Sequence, residues 1–107
     1  MTPEGKIKAK VDRILNNTDL VSWYFKPVQS GYGKRALDYI CCIAGRFVAI
    51  ETKAPGEEPT PFQRITAWDM HMAGAHVWFV SSDEGVDAFE RWLNSLPHQE
   101  IKKGASW

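Results

Sequence analysis

Three charged residues lie among apolar residues in the segment LDYICCIAGRFVAIETKAPG, residues 37–56. They are Asp38, Glu51 and Lys53, and the pattern around them is typical of two short apolar strands joined by a turn. A carboxylate or ammonium group removed from water is costly unless a partner compensates it. The segment therefore predicts either charges that pair only with one another or a site that binds a ligand.

The length of the turn decides which of these side chains meet. If Ala44 and Gly45 form a two-residue turn, Asp38 lies directly across from Glu51. A four-residue loop would instead place Asp38 across from Lys53, on the same face of the hairpin. Side chains alternate along a strand, so Glu51 and Lys53 share one face in either case. Only an odd-length loop without a compensating bulge would separate the charges.

Two carboxylates that face each other repel unless a proton or a cation lies between them. Mg²⁺ and Mn²⁺ prefer carboxylate oxygens and leave positions open for water and phosphate oxygens. Such a metal can neutralise a phosphodiester, lower the pKa of a bound water and stabilise the leaving oxygen. Lys53 would add a positive charge that orients the water or holds the phosphate. The pattern predicts a nuclease site, and its alternative is an ordinary surface cluster of charges.

Three capped helices are predicted. Thr2, Thr60 and Ser82 are capping residues, and the first two are followed by proline at the first helical position. The helices end at the segment NNTD, at Gly74 and at Pro97, respectively. Apolar residues share one face of each helix: Ile7, Val11, Ile14 and Leu15 on the first, Ile65, Trp68 and Met72 on the second, and Val86, Phe89, Trp92, Leu93 and Leu96 on the third.

Four strands are expected with these helices. Residues 21–28 alternate with the period of a half-buried strand, and the hairpin supplies two more. Residues 75–82, AHVWFVSS, form a nearly continuous apolar run, which predicts a strand covered on both faces at the centre of the sheet. The expected fold class is α/β, a mixed sheet flanked by helices, formed by a single domain over residues 1–97 and followed by a polar tail, 98–107.

The combination of Asp38, a strand gap and Glu51-Thr52-Lys53 in this element order resembles the PD-(D/E)XK nuclease superfamily. Within it, IETKAPG followed by TPFQ resembles the virus-type replication-repair nuclease (VRR-NUC) domain that phages encode as a stand-alone protein. The resemblance covers roughly residues 2–82. It implies a restriction-endonuclease-like core of order αβββαβ(α) and a DNA endonuclease that depends on Mg²⁺ or Mn²⁺.

The resemblance also implies a role for each matching residue of the motif. Asp38 and Glu51 would bind the metal, the Thr52 backbone carbonyl would be a third ligand, and Lys53 would be the catalytic lysine. Two positions depart from the family pattern. Leu37 stands where the family has proline, and Thr52 replaces a more usual apolar residue. Neither position supplies an essential side chain, so the expected activity is unchanged.

Gln63 and Glu4 are two further candidates that have structural alternatives. The resemblance places Gln63 beside the site, but TPFQ also fits a capping box in which Gln63 bonds back to Thr60. Both functions of Gln63 are compatible. The family often uses a glutamate of the first helix at the metal, and Glu4 lies on the apolar stripe of that helix, where a first-turn glutamate also favours the helix dipole.

The charge distribution suggests one basic face. The formal net charge is zero, yet residues 1–36 hold seven basic and three acidic residues, a balance of +4. A basic face would contact DNA phosphates, although a solvated helix surface would have the same composition. The candidate phosphate contacts are Lys6, Lys8, Lys10, Lys34 and Arg35.

A homodimer acting on branched, Holliday-junction-like DNA is the expected assembly. One domain offers one active site, and symmetric cleavage of two strands needs two sites, which a two-fold dimer supplies. Stand-alone VRR-NUC domains of this length resemble junction-resolving dimers. Five tryptophans in 107 residues leave material for an interface, with Trp23 or Trp92 as candidates. The alternative function is a catalytically silent DNA-binding module or a structural, partner-binding phage protein.

The remaining residues suggest no other cofactor and no membrane partner. Cys41 and Cys42 are adjacent without a second pair, which indicates strand packing rather than zinc binding. The histidines, His71, His76 and His98, have no ligand spacing. No apolar run approaches a membrane span, and the N-terminus lacks a secretory signal, so we expect a location in the cytoplasm, bacterial or of a phage host.

Overall fold

The computed structural model describes residues 1–18, 22–28 and 35–97. The predicted tail, 98–107, lies outside these residues, as does Lys34. The expected α/β class is confirmed, and the elements follow one another as helix, three strands, helix, strand and helix. They are α1 (Pro3–Asn17), β1 (Ser22–Phe25), β2 (Tyr39–Ile43), β3 (Arg46–Thr52), α2 (Pro61–Met72), β4 (His76–Val80) and α3 (Asp83–Asn94).

Each helix begins at its predicted cap. The hydroxyl groups of Thr2, Thr60 and Ser82 accept hydrogen bonds from the backbone N–H three residues further on. At the end of α2, Gly74 has φ +103°, the left-handed conformation that stops a helix at low cost in glycine. Strand β1 ends at Phe25 rather than at residue 28, because Pro27 has no N–H to donate to the neighbouring strand.

The four strands form one mixed sheet in the order β1-β2-β3-β4. Strand β2 pairs with both β1 and β3 in antiparallel orientation, and β3 pairs with β4 in parallel. The prediction that β4 lies at the centre is wrong, since it lies at an edge of the described sheet. Strand β3 is inside the sheet, and every residue from Val48 to Thr52 is buried.

Helix packing, not a central position, explains the apolar run of β4. On one side Trp78 packs against Phe89 and Trp92 of α3, with ring centroids 5.5 and 5.4 Å away. On the other side Val77 packs against the cluster that contains Ala67 of α2. Helices thus contact both faces of β4, which favours apolar residues even in an edge strand, and Phe79 remains 41% exposed.

The predicted two-residue turn of the hairpin is confirmed. Ala44 and Gly45 have φ values of +50° and +79°, as a type I′ turn requires. Tyr39 consequently pairs with Ile50, and this register places Asp38, the residue before β2, opposite Glu51. The alternative four-residue loop is therefore excluded.

Two apolar clusters lie on opposite faces of the sheet. Helices α1 and α3 cover the larger one, and the residues predicted to be apolar on α1 (Ile7, Val11, Ile14 and Leu15) are all buried. Helix α2 covers only part of the other face, where Leu37, Ala49 and Ala67 are buried together. The predicted apolar face of α2 points away from this cluster, because Ala67 rather than Trp68 packs against the sheet.

Tyr39 attaches α1 to the hairpin. Its side chain is fully buried, and its hydroxyl donates to Asp12 Oδ1 at 2.8 Å and lies 3.2 Å from the Lys8 carbonyl oxygen. Lys26 also pairs with Asp12 at 2.8 Å and lies over the Tyr39 ring. Burial and the Asp12 carboxylate raise the pKa of Tyr39, so its hydroxyl stays protonated and keeps donating.

Within the described residues, no helix has the length and apolar character that crossing a bilayer requires.

We expect Tyr39→Phe to lower the free energy of unfolding by about 1–2 kcal/mol, because Asp12 loses a donor in a partly buried place. Urea denaturation followed by circular dichroism measures the loss. Tyr24→Phe is the matched control, since its hydroxyl bonds to Asn16 at an exposed position and its loss should cost at most about 0.5 kcal/mol. Equal losses in the two variants would mean that the Tyr39 hydroxyl does not attach α1.

Candidate functional site

Asp38 and Glu51 meet at the open end of the β2–β3 hairpin. The register places them opposite each other, one position beyond the pair formed by Tyr39 and Ile50, and both side chains line the same small cleft. Glu51 is only 3% exposed, whereas the Asp38 side chain keeps 28% exposure. The predicted meeting of two carboxyl groups across the hairpin is thus confirmed, and it lies in a poorly solvated place.

The two carboxyl groups differ in charge at neutral pH. Burial, and then the hydrogen bond and charge of Asp38, raise the pKa of Glu51 to about 8. Burial also opposes the ionisation of Asp38, but hydrogen bonds from Glu51 and Thr52 and the charge of Lys8 outweigh it and hold the pKa of Asp38 below its usual value. Glu51 therefore carries the proton and Asp38 the negative charge.

Thr52 fixes the orientation of Asp38. Its backbone N–H and its hydroxyl both donate to Asp38 Oδ2, at 3.0 and 2.7 Å, and its side chain is fully buried. The N–H and C=O of one strand residue point towards the same neighbouring strand, so we expect the Thr52 carbonyl, the predicted third ligand, on the Asp38 side of β3. The hydroxyl bond was not predicted. Its signal in the sequence is a polar residue at a position where the family usually has an apolar one.

Two lysines bring positive charge to the carboxyl pair. Lys8 Nζ on α1 lies 3.9 Å from Asp38 Oδ2, and Lys53 directly follows β3 with a half-buried side chain. Both ammonium groups act to lower the pKa of Glu51, although burial and Asp38 outweigh them. The sequence suggested only a phosphate contact for Lys8. Its place beside Asp38 follows from the attachment of α1 to the hairpin, which has no signal in the local sequence.

A small cleft of about 110 Å³ opens next to the carboxyl pair. Gln63 Oε1 accepts a hydrogen bond from the Thr60 N–H at 2.9 Å, which confirms the capping box and leaves the amide NH₂ of Gln63 free of that bond. The Arg35 guanidinium lies 4.7 Å from the centre of the Phe62 ring. The lining residues are Arg35, Ala36, Asp38, Glu51, Phe62, Gln63 and Thr66.

Three other candidate residues are placed elsewhere or at the margin. Glu4 is half-exposed in the first turn of α1, and among the described residues no three His, Cys, Asp or Glu side chains form a group that could hold a metal ion. Lys6 is exposed on α1. Lys10 pairs with Asp83 of α3 and lines a different and larger groove, of about 620 Å³, between α1 and α3.

The chain matches no family model, no curated protein and no solved structure in comparisons with all three. The resemblance to the VRR-NUC domain therefore depends on the motif residues, their spacing and the order of the elements. The geometry of the site is independent of that resemblance, because it is given by the contacts of Asp38, Glu51 and Thr52 within the molecule.

The metal-free protein should lose stability as the pH rises from about 5 to about 8. The pKa of Glu51 is about 8 in the folded protein, against 4.5 for an unperturbed glutamate, so its stabilising contribution is complete below the lower value and is lost as the pH approaches the higher one. The slope is at most about 1.4 kcal/mol per pH unit. The pH dependence of the Asp38 contribution to stability has the opposite sign, because its pKa is lowered in the folded protein. That contribution is lost only as the pH falls below 3.8.

Denaturation midpoints at several pH values, with chelator present, measure this effect in the wild type and in Glu51→Gln. The amide of the variant does not titrate, so the difference in stability between the two proteins should change across this pH range in favour of the variant. Parallel curves for the two proteins would show that Glu51 titrates normally. Groups that do not interact with Glu51 contribute equally to both proteins and cancel in the difference.

Proposed function

We propose that this protein is a divalent-metal-dependent DNA endonuclease with a restriction-endonuclease-like core of the VRR-NUC type. The observation that carries the proposal is the pair of Asp38 and Glu51, one of them buried, with Lys8 and Lys53 beside it. Two adjacent carboxyl groups in a poorly solvated place are costly, and perturbed pairs of this kind are concentrated at functional sites. A purely structural hairpin has no need of the arrangement.

The donor set fits Mg²⁺ or Mn²⁺. Asp38 and Glu51 supply hard carboxylate oxygens, and the Thr52 carbonyl is the third candidate donor. The raised pKa of Glu51 indicates that the metal-free site holds a proton where a cation would bind, so metal binding should release that proton. When bound, the cation would supply Lewis acidity towards the phosphodiester and a more acidic water.

The other residues of the cleft would position the substrate. Lys53 would orient the attacking water or hold the scissile phosphate through its charge, and the Gln63 amide would donate a hydrogen bond into the cleft. Arg35, over the Phe62 ring, lies where it could contact a neighbouring phosphate. No covalent enzyme intermediate is proposed, because water is the nucleophile.

We further propose branched DNA as the preferred substrate and a homodimer as the active form. Two sites in fixed relation are needed for symmetric cleavage of two strands, and each chain offers one such site. Binding should weaken steeply with salt, because lysine and arginine contacts to phosphates release counterions. The alternative, a catalytically silent DNA-binding module, would bind the same DNA without metal-dependent cleavage.

Labelled duplex, flap and four-way-junction DNA, incubated with Mn²⁺ or with chelator, test the proposal. We expect cleavage only with metal, and fastest on the junction. Asp38→Asn and Glu51→Gln should abolish cleavage while leaving the fold intact, because each removes a negative ligand with little change of shape. Glu90→Gln is the control, since Glu90 is an exposed carboxylate of α3 outside the cleft. Mn²⁺-dependent cleavage retained by either site variant would contradict the assignment, and binding without any cleavage by the wild type would favour the silent module.

Lys53→Met should separate catalysis from metal binding. The substitution keeps the aliphatic stem and removes the charge, so turnover should fall by about 10²-fold or more while the affinity for Mn²⁺, measured by calorimetry, changes little. Arg91→Met removes an exposed positive charge from α3, outside the cleft, and should leave the rate unchanged. Equal losses of metal affinity and rate in Lys53→Met would show that the lysine supports the metal site rather than the reaction.

A further inference from the structure

Three large apolar side chains project from α2 into solvent. Ile65, Trp68 and Met72 are 58%, 62% and 66% exposed. Their spacing of three and four residues places them in one stripe along the helix, and Ala67, on another side, packs against the sheet. A helix that is apolar on opposite sides is expected where both sides are covered. The described residues cover only one of them.

This stripe distinguishes α2 from the other helices. Among the described residues of α1 and α3 there is no exposed large apolar side chain, and the large apolar side chains of those helices are buried or partly buried against the sheet. On α2 there are four, because Phe62 is also 61% exposed. The exposed large apolar side chains of the three described helices therefore all lie on α2.

The geometry of the stripe indicates its partner. Apolar residues spaced by three and four positions form a seam that packs against a second helix with the same spacing. The same α2 of a second copy has that spacing, and a two-fold axis makes one surface complementary to itself. We propose that the stripe of Ile65, Trp68 and Met72 is the interface for a second copy of this chain, with Trp68, in the middle of the stripe, next to the two-fold axis.

The size of the surface agrees with this occupant. At roughly 150–200 Å² for each large apolar side chain, the exposed parts of the three stripe residues amount to about 300–400 Å². A standard interface buries about 800 Å² per partner, of which the apolar centre is one part and a polar rim the rest. Arg64 and Asp69 are exposed near the stripe and supply such a rim.

Two tryptophans were expected as interface candidates, and the structure separates them from the α2 surface. Trp92 packs against Trp78, Phe89 and His76 within the protein, so it belongs to the core layer. Trp23 is 64% exposed and packs beside Phe25 on β1. The surface formed by Trp23 and Phe25 is the alternative candidate for the dimer interface.

The α2 surface is favoured over the surface around Trp23 for a structural reason. Helix α2 adjoins the cleft, whereas Trp23 and Phe25 lie on β1, the edge strand that β2 separates from Glu51 of β3. An interface through α2 would also place the two clefts in fixed relation, because Phe62 and Gln63 of the same helix line the cleft.

The inference rests on the homodimer of the proposed function and names its interface, and it is tested without DNA or metal. Light scattering and sedimentation at micromolar concentration compare the wild type with Trp68→Glu and with Trp23→Glu, two tryptophans of nearly equal exposure, 62% and 64%. We expect a dimeric wild type, a dimeric Trp23→Glu and a monomeric Trp68→Glu whose dimer dissociation constant has risen by about 100-fold or more. Circular dichroism checks that each variant is folded, and Ile65→Glu with Met72→Glu replaces Trp68→Glu if that variant is not.

A monomeric wild type would overturn the inference. Dissociation of Trp23→Glu with retention of the dimer in Trp68→Glu would overturn it in favour of the sheet surface, and equal dissociation of both would show that the effect is not specific to α2. A dimer that depends on Trp68 but cleaves no DNA would sustain this inference while the proposed function fails. A monomeric wild type would also remove the homodimer from the proposed function, whereas metal-dependent cleavage is judged by its own measurement.

Discussion

The proximity of the Asp38 and Glu51 carboxyl groups is the costly feature around which the site is organised. Glu51 is 3% exposed, and its burial and the Asp38 charge raise its pKa, so ionising both groups is unfavourable without a cation. The protein assigns the charge to Asp38, which accepts two hydrogen bonds from Thr52 and lies near Lys8. Glu51 is left with a proton that a divalent cation could displace, and this exchange is the physical basis of the nuclease we propose.

The rest of the fold holds this pair in place by a few contacts. The two-residue turn at Ala44 and Gly45 sets the register that makes the carboxyl groups meet. Strand β3 lies inside the sheet between β2 and β4, which removes Glu51 from water. Tyr39, one residue after Asp38, bonds to α1 and thereby brings Lys8 to the site. The contact that stabilises the packing of α1 is thus also the contact that determines the charge next to Asp38.

Helix α2 links the site to the surface that we assign to a second copy. Its first turn carries the capping box and the cleft residues Phe62 and Gln63, and its outer side carries the stripe of Ile65, Trp68 and Met72. Because a helix is a rigid element, a partner held on the stripe would have a defined position relative to the cleft. This coupling would serve cleavage of a two-fold symmetric DNA junction.

Local signals in the sequence determined the elements and the carboxyl pair. The three caps, the turn at Ala44 and Gly45, and the alternation that places Glu51 and Lys53 on one face all depend on residues close together in the chain, and the helices, the turn and the meeting of Asp38 with Glu51 are confirmed. Such features are predictable because caps, turns and strand alternation depend on backbone geometry over a few residues.

Only the tertiary structure decided which surfaces are covered and which distant residues meet. The apolar run of β4 could not distinguish a central strand from an edge strand that helices contact on both faces, since both have apolar faces. The periodicity of α2 showed that Ile65, Trp68 and Met72 share a face but not that Ala67 is the residue that packs on the sheet. Lys8 reaches the distant Asp38 because α1 packs on the hairpin. Burial is a property of the whole assembly of elements, and a one-dimensional pattern specifies an apolar face without specifying what covers it.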